Sequence, residues 1–183
     1  MKKRRITAGA AIILILALAA FGTLSYFTYT GEAENVITTG SIEIQINEKT
    51  PDGEDYPEDG VTVMPGDTVD KILTIENTGE SAAYVRVKVT VSVSDETLTA
   101  DDCVTLDIDT ENWTYQEDGY YYYNTVLEPG ESTEPLFTQA SFDLYNIDND
   151  YLGTNLYIDA IAYAVQSDNN GDDPLTAAGW PED

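Results

Sequence analysis

The chain has 183 residues, with 34 acidic and 8 basic side chains and no histidine, giving a formal net charge of −26. Such a charge excludes a surface built for nucleic acid or anionic lipid, because both are polyanions that select Lys and Arg clusters. The missing histidine removes Ser-His-Asp and Cys-His nucleophiles, the HExxH motif and His-ligated zinc, and the single Cys103 can build neither a thiolate cage nor an internal disulfide.

Residues 1–25 read as a signal-peptide helix. Lys2, Lys3, Arg4 and Arg5 form a basic start, and no charged residue follows until Glu32. The densest apolar run, Ala10 to Phe21, is 12 residues long, the length of a signal-peptide core and short of the roughly 20 residues that span a bilayer. Gly22 breaks the run. Thr23 and Ser25 then place small residues at the minus-three and minus-one positions of a cut before Tyr26. An uncleaved anchor is the alternative, and in both cases the remainder is exported. Cleavage leaves 4 basic against 34 acidic side chains, 4 minus 34 or −30.

After an extended segment at 26–39, a domain at 40–166 is dominated by period-two alternation. SIEIQIN places Ile42, Ile44 and Ile46 on one face, and AAYVRVKVTVSVS aligns Val85, Val87, Val89, Val91 and Val93 against Tyr84, Arg86, Lys88, Thr90 and Ser92. Further strands are predicted at Val61 to Met64, Val69 to Glu76, Cys103 to Ile108, Asn112 to Gln116, Tyr120 to Val126, Ala140 to Tyr145 and Asn155 to Gln166. MPGD, NTGES, QEDG, EPGES and NIDND supply the turns between them. Pro65-Gly66 and Pro129-Gly130 each predict a type II turn. The last run is Ala-rich, which also suits a helix, yet its apolar residues on both faces fit a central strand. Nine strands without an amphipathic helix predict an antiparallel β-sandwich. The tail at 167–183 is expected to be acidic loop or disorder, with Trp180 packed somewhere on the domain.

Two features invite a binding function. NWTYQEDGYYYYNTV reads as a hairpin turning at Asp118-Gly119, with Trp113 and Tyr115 across from some of the four rings Tyr120, Tyr121, Tyr122 and Tyr123. One pair of its rings is expected in the core and the other exposed as a contact surface. DIDTEN, NIDND and DNNGDD offer oxygen ligands for calcium, but none has the Gly and Glu spacing of an EF-hand, and polar turns are the plainer reading. No cofactor is expected, and no carboxylate pair stands out from an acidic surface.

Three stretches together resemble the TasA and camelysin family of Gram-positive bacteria: GTLSYFTYT after the apolar run, VITTGSIEIQI, and VMPGDTVDKILTIENTGESAAYVRV. The likeness covers roughly residues 1 to 95, returns at LYIDAIAYAVQ, and is looser through WTYQEDGYYYYNTVLEPGEST. It implies a jelly-roll-like β-sandwich, a SipW-type signal peptidase as processing partner, and self-assembly into extracellular biofilm-matrix fibres. In that assembly the N-terminal segment of one subunit enters the sheet of the next. Carried onto this chain, the donor runs from Tyr26 to about Thr39, with Tyr26, Phe27, Tyr29, Val36 and Ile37 offering side chains to the neighbour. Camelysin-like members carry a metalloprotease label, from which this histidine-free chain departs. The expectation is therefore a secreted structural protein without catalytic residues. The runner-up is a monomeric surface module for a glycan, a basic protein or calcium.

Overall fold

The structure, a computed structural model, describes residues 27–30, 33–35, 42–100 and 102–181. Among them are eleven strands: β1 (Phe27–Thr30), β2 (Ala33–Asn35), β3 (Ile44–Lys49), β4 (Val61–Val63), β5 (Thr68–Asn77), β6 (Ala83–Val93), β7 (Val104–Leu106), β8 (Trp113–Tyr115), β9 (Tyr121–Tyr123), β10 (Phe137–Phe142) and β11 (Asn155–Gln166). A single 3-10 turn at Asn149–Tyr151 is the only helical element of the described residues. The expected helix at 1–25, with Thr23, Ser25 and Tyr26, lies outside the described residues, as do Val36 and Ile37.

The strands form two sheets. One has the order β4-β1-β11-β6-β9-β8, with β2 also paired to β11, and the other runs β3-β5-β10-β7. All pairings are antiparallel except those of β1 and β2 with β11, which are parallel. Alternation explains how the sheets meet. Ile44, Ile46, Leu73, Ile75, Phe137, Ala140 and Phe142 from one sheet share a single buried core with Val85, Val87, Leu156, Ile158, Ala160 and Ala162 from the other. Each of the larger of these side chains, the valines, leucines, isoleucines and phenylalanines, contributes about 1.5–3 kcal/mol by leaving water.

Both Pro-Gly turns close on the fourth residue, Asp67 N–H donating to Met64 C=O at 2.9 Å and Glu131 N–H to Glu128 C=O at 3.0 Å. Gly66 and Gly130 take φ of +89° and +79°, the left-handed position that glycine fills at least cost. The runs predicted at Cys103 to Ile108 and Tyr120 to Val126 are found shortened, as Val104–Leu106 and Tyr121–Tyr123, and one strand is displaced. The run predicted at Ala140 to Tyr145 is found three residues earlier, because Asp143 Oδ1 accepts hydrogen bonds from the backbone N–H groups of Tyr145 and Asn146 at 2.7 and 2.6 Å. That turn ends the strand and leaves Tyr145 87% exposed, while Phe137 takes the inner position.

Candidate interface: the N-terminal strand and the tyrosine hairpin

The described residues of the segment expected to act as a donor, β1 and β2, pair within their own chain. β11 is flanked on one side by β6 over its whole length from Leu156 to Gln166. On the other side Thr28, Tyr29 and Thr30 face Asn155, Leu156 and Tyr157, and Ala33, Glu34 and Asn35 face Ala160, Ile161 and Ala162. Thr28 to Ala33 and Asn155 to Ala160 are the same distance along the chain, so β1 and β2 follow β11 in one register. On its far side β1 pairs with β4, Phe27 opposite Val63 and Tyr29 opposite Val61. β1 is therefore inserted between β4 and β11, with backbone partners on both sides, while β2 pairs with β11.

The tyrosine hairpin divides its rings between the faces, as strand alternation requires. Trp113 faces Tyr123 and Tyr115 faces Tyr121 in the β8–β9 ladder. Trp113 and Tyr123 stack at 5.0 Å within the core, where Trp113 Nε1–H donates to Glu134 C=O at 3.1 Å. Tyr115 and Tyr121 pair at 4.9 Å, and Tyr115 is 59% exposed.

The outer rings correct the expectation of an open aromatic face. Tyr120 and Tyr122 are buried together with Tyr163, because the C-terminal tail lies over them. Trp180 meets Tyr122 edge-on at 5.5 Å, and Ala177 packs with Tyr84 and Val165. The tail is irregular but tied down. Asn170 Nδ2 donates to the carbonyls of Gln166 and Ala178, Ala178 N–H returns a bond to Asn170 Oδ1 at 2.8 Å, and Tyr84 O–H donates to Gly171 C=O at 2.8 Å.

At the centre of this cover is Arg86, an outward residue of β6. Its guanidinium lies 3.9 Å from the Tyr120 ring centroid, 4.9 Å from Trp180 and 5.4 Å from Tyr163. Arg86 Nη2 donates to Pro181 C=O at 2.7 Å and Nη1 to Tyr122 Oη at 3.1 Å, with Asp118 Oδ2 at 3.5 Å. Tyr122 O–H donates in turn to Asp118 Oδ2 at 2.6 Å. Burial, followed by that carboxylate, raises the Tyr122 hydroxyl above its ordinary value, so it stays neutral and can both give and accept. Sequence reasoning placed Arg86 on the outer face and Trp180 on the domain, but not against each other. The signal was an arginine in phase with Tyr84 on a strand beside tyrosines, a pattern that favours cation–π stacking.

The acidic turns use their carboxylates locally. Asp107 accepts from the backbone N–H groups of Thr138 and Gln139 and from the Thr138 hydroxyl; Asp109 accepts from Glu111 N–H, Asn112 N–H and Asn112 Nδ2. These donors hold both carboxyls below their ordinary values, with partial burial opposing them at Asp107. Asp148 caps the 3-10 turn through Asp150 N–H. Among the described residues no group of three or more His, Cys, Asp and Glu side chains is arranged to hold a metal ion. Cys103 is fully buried, its thiol donating to Thr99 C=O at 3.5 Å.

No family model, curated protein or solved structure matches the chain.

Proposed function

We propose that this is a secreted structural protein that polymerises into extracellular or cell-surface fibres, the segment at 26–39 of one copy completing the sheet of the next. The observation that carries the reading is the shared parallel register of β1 and β2 along β11, with β4 on the other side of β1. A strand that complements its own sheet in this way has the shape and pairing needed to complement an identical sheet. The pairings are the same in both cases, so the balance between closed monomer and polymer rests on the connection at 36–41 and on concentration. Exchange also leaves no open edge along β11, which guards against unspecific pairing.

Jelly-roll connectivity, release by a SipW-type signal peptidase and a role in matrix rather than catalysis belong to the same reading. It is supported by the apolar run ending at Phe21, the small residues Thr23 and Ser25, and the resemblance carried by VMPGDTVDKILTIENTGE. Charge opposes assembly: the cleaved chain, with 4 of the 8 basic and all 34 acidic side chains, repels its copies over a Debye length of about 8 Å at physiological salt. Acid and divalent cations are therefore expected to promote polymerisation.

The test compares Tyr26–Asp183 with a version starting at Gly40, by light scattering and electron microscopy as pH is lowered from neutral. Fibres from the longer chain alone, and capture of a synthetic 26–39 peptide by the shorter one, are the expected results. Equal polymerisation of both chains would remove the donor role.

A further inference from the structure

The interior contains a lysine that the assembly reading does not use. On β5, Lys71 falls in phase with Leu73 and Ile75, and it is 0% exposed between the sheets. On β3, Glu48 falls in phase with Ile44 and Ile46 and sits opposite Leu73, making Lys71 its diagonal cross-strand neighbour. Lys71 Nζ lies 2.7 Å from Glu48 Oε1, and the carboxylate side chain is only 11% exposed. Tyr56 closes the site: its N–H donates to Glu48 C=O at 2.9 Å, and its buried ring stands 4.7 Å from Nζ.

We propose that Lys71 and Glu48 condense to an intramolecular amide that joins β3 to β5. The Lys71 nitrogen forms a bond to Glu48 Cδ, one carboxylate oxygen leaves, and the two protons shed by the ammonium depart with it as water. No oxidant, reductant or activating group is consumed.

Four features favour this step here. In open water both ions are strongly hydrated and condensation is disfavoured; in a closed interior that hydration is lost and the ionic pair is the form placed at a disadvantage. Burial holds the Lys71 ammonium below its ordinary value, with Glu48 and then Asp159 pulling it back up, so the neutral nucleophilic amine is more accessible than in water. Burial and the Glu48 charge push the Tyr56 hydroxyl up to about 12, which adds no competing anion. The fold also brings nucleophile and carbonyl carbon together on adjacent strands, replacing an encounter by a fixed approach.

The mechanical consequence rests on the assembly reading, whereas the bond does not. β3 is an edge strand whose ladder partner among the described residues is β5, and it is the first strand after the segment at 26–39. Tension along a fibre joined through that segment enters the domain at β3 and would peel it from β5 one ladder bond at a time. An amide between Glu48 and Lys71 blocks that peeling.

Intact mass spectrometry of the denatured mature protein tests the bond without reference to fibres. The expected mass is one water below that calculated from the sequenced N-terminus, with residues 48 and 71 still joined after proteolysis. Lys71→Arg keeps the charge but is expected to show the full calculated mass. A natural chain at its full calculated mass, with 48 and 71 on separate peptides, would overturn the proposal and leave the assembly reading standing. Loss of fibres with the mass deficit intact would do the reverse.

Discussion

The two flanks of β11 are built differently. Toward β6 it makes an antiparallel ladder of eleven residue pairs, reinforced by Val85 and Val87 in the core and by Tyr84, Arg86 and the tail on the outer face. Toward the N-terminus it makes two parallel runs of three pairs each. Parallel pairing is slightly weaker per residue, and short strands bury little, so this flank has less to lose when it opens. β6 cannot leave without the core, whereas β1 and β2 are held by short runs, and on the proposed assembly these are the strands that another copy's would replace.

Breaking the β6 flank has the largest expected effect. Ile158→Ala removes a fully buried side chain beneath that ladder and should cost about 2–5 kcal/mol in denaturant unfolding. Deleting residues 26–39 should cost less, leaving a folded domain whose amides between Asn155 and Ala162 exchange faster; a domain that no longer folds would erase the distinction between the flanks. Trp180→Ala uncovers Arg86 and should cost about 1–2 kcal/mol by removing cation–π and edge-on contacts. It should also free the tail, seen as proteolysis after Gln166, without changing fibre yield.

The smallest effect is on pH dependence. Asp107 and Asp109 have folded-state values below the ordinary carboxylate range, so their stabilisation is complete above the unfolded value of about 3.9 and is lost as pH falls through the folded values. Asp107→Asn should therefore flatten the acid limb of the stability curve. Polymerisation should rise as repulsion falls from neutral pH toward about 4, then decline as the domain itself weakens. A rate highest in dilute salt at neutral pH would contradict the electrostatic account.

Much of this was legible because alternation reports which face of a strand meets a core. The runs ending in Val93 and Gln166 declare themselves by β-branched or apolar residues at every second position, and β11 appears with the bounds expected. The parallel pairing of β1 and β2 was not legible. It joins residues more than a hundred positions apart, and Gly31 and Glu32 interrupt the pattern between the two short strands. The β10 displacement arose because an Asp143 side-chain turn, invisible to hydrophobic periodicity, ends the strand. The cover over Tyr120 and Tyr122 depends on a polar tail anchored by Ala177 against Tyr84 and Val165 and by Trp180 against Tyr122 and Arg86. By contrast, Lys71 carried a signal: a lysine in phase with Val69, Leu73 and Ile75 is a polar group committed to the interior.

The most direct test of exchange at β11 is a lock. Thr28 and Asn155 stand opposite each other in the parallel register, so the double variant Thr28→Cys, Asn155→Cys can be oxidised at high dilution to close the strand onto its own chain. The account predicts that the internally bridged protein stays monomeric under acid conditions in which the reduced form makes fibres, and that reduction restores polymerisation. Fibres growing at the same rate from the bridged and reduced forms would show that the N-terminal strand never leaves its own sheet.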